Sequence, residues 1–236
     1  MNIEVYADAD VVAREAARVI ADEARAAIAT RGCFALAVSG GRTPWIMLRA
    51  LAGEEIPWRG VHIIQVDERA APEGHPDRNL THLRESLLQH ASLRPEQIHA
   101  MPVESLDLWA AATQYALTLR EIVGLPPVLD LVHLGLGADG HTASLIPGDP
   151  VLDISETDVA PTEMYQGRRR MTLTYPILNR ARRRLWVVTG SEKGSMLRRL
   201  RDGDHSIPAG RVDREQALML ADRAAAGAST AEYKWG

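Results

Sequence analysis

The chain has one cysteine, Cys33, and one phenylalanine, Phe34, in 236 residues. A single cysteine excludes an internal disulfide framework. Its place beside Phe34-Ala35-Leu36-Ala37-Val38 predicts a small buried hydrophobe with no redox role. No apolar run approaches the roughly 20 residues that a membrane-spanning helix needs, and Met1-Asn2-Ile3-Glu4-Val5-Tyr6 lacks the basic segment and apolar core of a secretory signal. The expected location is therefore the cytoplasm, with no membrane partner. Positive charge is not in excess either: 27 Lys and Arg against 31 Asp and Glu leave a formal charge of −4, which gives no general attraction to nucleic acid. The His and Cys residues do not fall at zinc-site spacings, so no metal is expected. Internal repeats, low-complexity tracts and interdomain linkers are also missing, so the expectation is one domain over 1–236, with assembly left open between a monomer and a small homo-oligomer.

What is present is an ordinary globular composition, 46% hydrophobic and 25% charged, arranged as short apolar runs alternating with longer amphipathic segments. Strands are expected at Ile3–Tyr6, Phe34–Ser39, Val61–Val66, Leu129–Leu134, Met171–Thr174, Leu185–Thr189 and Ala217–Leu220. Helices are expected at Asp10–Ala29, from Thr43-Pro44 onward, and at Asn79–His90, Leu106–Val123 and Glu192–Leu200. Continuous apolar strands between helices predict an α/β fold, a mainly parallel sheet covered on both faces. In such folds ligands collect at the carboxyl ends of the strands. The suggestive polar residues fall there: Ser39-Gly40-Gly41, Asp67-Glu68-Arg69, Asp139-Gly140-His141, and Thr189-Gly190 before Lys193.

Gly135-Leu136-Gly137-Ala138-Asp139-Gly140-His141 lays two signals over each other. One is the G-x-G-x-x-G dinucleotide fingerprint; the other is a carboxylate and an imidazole on a glycine-rich turn. The fingerprint needs a full helix after it, with its N-terminus facing the pyrophosphate. Here Thr142–Ile146 runs straight into Pro147-Gly148-Asp149-Pro150, and Asp139 would put negative charge where the pyrophosphate should sit. The glycines instead favour a sharp turn and close approach to a ligand.

Imidazole titrates near neutral pH, which makes His141 the candidate general base, with Asp139 close enough to orient it. A histidine capping the short turn is the alternative. His62, His75, His82, His90, His99, His133 and His205 have no comparable setting. Ser39-Gly40-Gly41-Arg42-Thr43-Pro44 joins a buried strand to a helix start, with free N–H groups, hydroxyls and an arginine, so it reads as a phosphate cradle or as a plain capped turn. It lacks the Gly-Lys-Ser/Thr ending of a P-loop. Lys193 and the run Arg168-Arg169-Arg170 are candidate anion ligands; Asp67-Glu68-Arg69 is a solvated corner or a set of catalytic side chains.

Taken in order, these motifs resemble the 6-phosphogluconolactonases, relatives of glucosamine-6-phosphate deaminase. The resemblance runs from Ser39-Gly40-Gly41-Arg42-Thr43-Pro44 through Asp67-Glu68-Arg69 with Asn79 downstream, Gly135–Gly148 and Arg170-Met171-Thr172-Leu173-Thr174 to Val188-Thr189-Gly190-Ser191-Glu192-Lys193. The deaminase branch resembles Asp-Gly-His-Ile-Ala-Phe-Asn-Glu-Pro, with the glutamate moving a proton. Ile146 stands in that place here, and Arg69 replaces the tyrosine of the deaminase Asp-Glu-Tyr. The resemblance implies a Rossmann-like three-layer fold (NagB/RpiA/CoA transferase-like). It also implies hydrolysis of 6-phospho-D-glucono-1,5-lactone, a small-molecule phosphosugar lactone, in the oxidative pentose phosphate pathway, without a cofactor. On this reading His141 is the base, Asp139 orients it, Arg69 stabilises the oxyanion or holds the substrate's polar edge, and Asp67 is a further catalytic candidate. Ser39, Gly40, Gly41, Arg42, Thr43, Arg170 and Lys193 would hold the 6-phosphate.

Overall fold

The computed structural model describes residues 1–227, so the unit expected over 1–236 extends past the described part. Its elements in chain order are β1 Asn2–Tyr6, α1 Ala9–Arg31, β2 Phe34–Val38, α2 Arg42–Leu51, β3 Val61–Gln65, β4 Asp67–Arg69, α3 Asn79–Leu83, β5 Ile98–His99, α4 Leu108–Val123, β6 Leu131–Leu134, β7 Val159–Pro161, β8 Arg170–Leu173, α5 Tyr175–Arg180, β9 Arg183–Val188, α6 Gly194–Asp202, β10 Ala217–Asp222 and α7 Arg223–Ala226. Seven strands form one sheet in the order β1-β10-β9-β6-β2-β3-β5, and every neighbouring pair in it is parallel.

Period-two alternation divides each central strand between two cores. Ala35, Ala37, Ile64, Val132, Leu134, Trp186, Val188 and Met219 face the layer of α4, α5 and α6. Phe34, Leu36, Ile63, Leu131, Leu185, Val187, Leu218 and Leu220 face α1 and α2. Helix α1 meets them with Val12, Ala16, Ile20, Ala24 and Ala27 at helical spacing; it starts at Asp8, which accepts from Val11 N, and ends at Gly32 with φ 79°. The chain is thus α/β with the expected mainly parallel sheet between helices. Among the described residues, no helix is long and apolar enough to cross a membrane.

Several expectations change. The strand expected at Met171–Thr174 is β8, which leaves the parallel sheet and forms a separate antiparallel sheet, β4-β8-β7. The helix expected over Asn79–His90 is α3 followed by a π-helical turn over Arg84–Leu88. Cys33 is only half-buried, because it precedes β2 rather than lying in it.

Candidate active site

In the parallel sheet β2 lies between β6 and β3, so successive connections leave in opposite directions and a crevice opens between the carboxyl ends of β2 and β6. A cleft of about 640 Å³ occupies this place, lined by Ser39, Gly40, Gly41, Arg42, Thr43, Asp67, Arg69, Asn79, His141, Arg170, Gly190 and Lys193 among others. The four rim loops therefore converge as their positions at strand ends predict. Asp139 stands behind His141 rather than on the cleft wall.

The turn after β6 builds an oriented imidazole. Asp139 Oδ1 lies 2.6 Å from His141 Nδ1 and also accepts the His141 backbone N–H at 3.1 Å. A carboxylate only accepts, so Nδ1 carries a proton, and in the neutral ring Nε2 keeps a free lone pair. The Tyr165 hydroxyl donates to Asp139 Oδ2 at 3.1 Å. Burial alone would raise the Asp139 carboxyl, but the His141 N–H, its ring and the Tyr165 hydroxyl outweigh it and hold the group below the usual carboxylate range. The glycines have separate duties. A Cβ at Gly137 would fall 2.2 Å from His141 Nδ1, whereas Gly140 has φ 85° and a Cβ there would meet Ile207 at 2.8 Å. Neither duty involves a nucleotide.

The small antiparallel sheet supplies the opposite wall. Arg69 pairs with Arg170 and Asp67 with Thr172, so alternation turns Asp67, Arg69 and Arg170 toward the cleft and Glu68 away from it. Two arginines directly opposite each other repel, and an anion between them would relieve that. Arg170 is 4% exposed, its guanidinium carbon lies 4.9 Å from the Tyr165 ring centroid, and its Nε has no hydrogen-bond partner. Burial, then the charge of Arg69, lowers its hold on its proton. Arg168 and Arg169, expected with it as anion ligands, are otherwise engaged: Arg168 Nε pairs with Asp77 at 2.7 Å and Arg169 Nε donates to Thr162 O. Only Arg170 of that run reaches this cleft.

Asp67 is buried, and Ser144 Oγ donates to its Oδ2 at 2.6 Å. Burial pushes its carboxyl up, against the pull of Ser144, Arg69 and Arg170. Asn79 links the wall to the glycine loop: its Nδ2 donates to Asp67 O, its Oδ1 accepts from Arg69, and a Cβ at Gly40 would fall 2.1 Å from that Oδ1. Glu68, part of the corner that the sequence leaves open between solvated and catalytic, is wholly buried. It accepts from Gln65 Nε2, Arg69 N, Asn79 N and Leu80 N and pairs with Arg78 at 3.1 Å. It is the anchor that holds α3 against β4.

At the third side, α2 starts at Gly41 with no side-chain cap, so the first amides of the helix lack intrahelical acceptors. The Thr43 hydroxyl bonds that of Thr189 at 2.7 Å, joining this helix start to the end of β9. Arg42 and Lys193 line the cleft; no ion pair engages either of them among the described residues. Ser39 departs from expectation: its hydroxyl donates to His133 O at 2.9 Å and its N–H to His133 Nδ1 at 3.2 Å, so neither donor is available to a ligand. No group of three or more His, Cys, Asp or Glu that could hold a metal ion occurs among the described residues. The sequence gives no role to Tyr165 or Asn79: Tyr165 carries no local signal 26 residues from Asp139, and Asn79 stands only as part of a motif.

Residues 7–220 match the family model of glucosamine-6-phosphate isomerases/6-phosphogluconolactonase. The chain belongs to this family. A 6-phosphogluconolactonase of Mycobacterium tuberculosis is 34% identical over 95% of this chain and 97% of its own, and one of Nostoc sp. is 31% identical over 96% and 97%. Among solved structures, a 6-phosphogluconolactonase from Thermotoga maritima superposes with a TM-score of 0.84 at 25% identity, covering 94% of this chain and 98% of that one. A monomeric glucosamine-6-phosphate deaminase shares the fold, with a TM-score of 0.83 at 20% identity over 96% and 99% of the two chains. Both branches of the family are thus close in fold, and residues must separate them. Ile146, standing where the deaminase motif has its glutamate, is 5% exposed and offers no group that could move a proton.

Proposed function

We propose that the cleft hydrolyses 6-phospho-D-glucono-1,5-lactone to 6-phospho-D-gluconate in the cytoplasm, with His141 as general base. The observation that carries this reading is the Asp139–His141 pair, whose Nε2 is free on the wall of a cleft that also holds Arg42, Arg69, Arg170 and Lys193. A lactone is an activated ester, so a positioned base and stabilisation of one oxyanion suffice. Nε2 takes a proton from water as its oxygen bonds to C1. Arg69 faces the negative charge that develops on the carbonyl oxygen. The tetrahedral species collapses by breaking the bond from C1 to the ring oxygen, which takes up the proton held by His141. The new carboxylic acid then ionises.

The 6-phosphate would be held by the amides of Gly40, Gly41, Arg42 and Thr43 at the start of α2 and by the cations of Lys193, Arg170 and Arg42. Holding this remote group fixes C1 over His141. The buried carboxyl of Asp67 would face the sugar from beside Arg69. The test generates the lactone in situ from glucose 6-phosphate and follows its loss. His141→Ala is expected to lower kcat by about 10²-fold or more with little change in KM, and retained kcat would refute the base. Lys193→Ala is expected to raise KM chiefly, and an unphosphorylated lactone to be a poor substrate; equal use of the two lactones would refute the phosphate assignment. With Ile146 in place of a carboxylate, glucosamine 6-phosphate is expected to release no ammonia.

A further inference from the structure

His133 lies in the middle of the parallel sheet, fully buried, two positions before the turn that carries His141 begins. The ladder between β2 and β6 pairs Leu36 with Leu131 and Ala37 with Val132 and then stops. Beyond that point β2 stays with β3 as far as Val38 opposite Gln65, while β6 stays with β9 as far as Leu134 opposite Trp186. The two strands therefore part where the cleft opens. At the point of parting the imidazole takes over from the main chain: Ser39 N donates to His133 Nδ1 at 3.2 Å and Ser39 Oγ to His133 O at 2.9 Å.

We infer that His133 is a positioning residue, a side-chain rung that fixes the Ser39-Gly40-Gly41 loop against the strand leading to His141 and so sets the distance between the phosphate-holding loop and the base. An aliphatic side chain at this place would leave the Ser39 N–H buried without an acceptor. A protonated imidazole would present a donor to a donor, and burial pushes this group down to about 3, so the rung is neutral at pH 7. Accepting through Nδ1 requires the hydrogen to sit on Nε2, which has no hydrogen-bond partner. A buried polar atom left unmatched is a cost, offset here by the place that its partner nitrogen secures.

This inference rests on the phosphate-holding role of the loop, so wild-type affinity for inorganic phosphate is measured first; absence of phosphate binding there refutes that role, not the rung. Against that baseline, His133→Leu is expected to raise KM for the lactone and Kd for phosphate about tenfold, the cost of one unmet buried hydrogen bond, with kcat within twofold. His133→Asn, whose Oδ1 can stand in for Nδ1, is expected to restore most of the loss. Unchanged KM and Kd in a folded His133→Leu, or no recovery in His133→Asn, would overturn the inference. Should His133→Leu fail to fold, nitrogen NMR of the wild-type imidazole remains: the Nε2–H tautomer without titration between pH 5 and 8 supports the rung. The opposite tautomer, or titration in that range, refutes it.

Discussion

The Asp139 carboxylate stands 2.6 Å from Nδ1 of His141, and that contact exists because the residue two positions before Asp139 has no side chain. A Cβ at Gly137 would lie 2.2 Å from His141 Nδ1 and 2.6 Å from Asp139 Oδ1, closer than any side chain tolerates. A Cβ at Gly135 would meet nothing within 4 Å. The two glycines look alike in the motif and differ in what they permit.

Gly137→Ala is accordingly expected to drive the imidazole off its carboxylate and lower kcat by about 10²-fold, the worth of a positioned general base. The thermal midpoint should fall less than kcat, because the atoms nearest the added Cβ are those of the part-exposed side chains of His141 and Asp139, not backbone. Gly135→Ala is the paired control, with kcat far above that of Gly137→Ala. Steady-state kinetics and a melting curve on both variants check this; equal kcat in the two would mean that the 137 position does not act through the imidazole.

Tyr165→Phe removes the hydroxyl that donates to Asp139 Oδ2 at 3.1 Å while leaving the ring against Arg170. One hydrogen bond to a charged group at a partly open site is worth about 1 kcal/mol, so kcat should fall roughly fivefold. Because that hydroxyl helps to hold the Asp139 carboxyl low, its loss raises the carboxyl. The part of the acid loss of kcat that comes from protonation of Asp139 should therefore begin at higher pH. A pH–rate profile unchanged in height and position would show that the tyrosine does not act on the pair.

Much of this was legible because each rim loop follows a continuous apolar strand. Phe34–Val38, Val61–Gln65, Leu131–Leu134 and Arg183–Val188 mark their own ends, and the polar residues just past them mark the cleft. The antiparallel sheet was not legible for the converse reason: β4 is Asp67-Glu68-Arg69, three charges with no apolar signal, and β7 is three residues ending in Pro161. Whether three charges in a row lie in solvent or alternate across a strand depends on a partner, β8, a hundred residues away. Ser39 reads as a ligand from its loop, and only the fold reveals that His133 takes both its donors.

Glu68 shows how strongly the cleft depends on that hidden alternation. It is wholly buried and binds four donors as well as Arg78, itself 3% exposed. Glu68→Gln leaves the buried guanidinium with Glu104, at 3.0 Å, as its remaining carboxylate partner and turns one acceptor into a donor facing amide donors. A loss of about 1–3 kcal/mol is expected, read as a lower urea midpoint. Glu68→Asp, which keeps the charge but shortens the reach, should fall between. A midpoint equal to wild type in Glu68→Gln would mean that Glu104 alone suffices as the partner of Arg78.

Acid should weaken the fold before it reaches the carboxylates. Burial lowers His99 to about 4, lowers His62, which faces it at 3.0 Å between ring nitrogens, and brings His133 to about 3. An unfolded histidine takes up its proton near about 6.5. Between that value and the folded values, the unfolded chain binds protons that the folded chain refuses, so stability falls as pH falls. Stability from these three groups is fully present above about pH 7 and declines through pH 6 and 5 toward 4, where His99 flattens out while His133 still contributes. Urea midpoints at pH 7, 6, 5 and 4 measure the decline. His99→Gln should make it shallower without changing kcat at pH 7, since His99 lies at β5, the far edge of the sheet from β1 and away from the cleft-lining residues. A midpoint constant from pH 7 to 5 in the wild type would show that these imidazoles are protonated as readily in the folded protein as outside it.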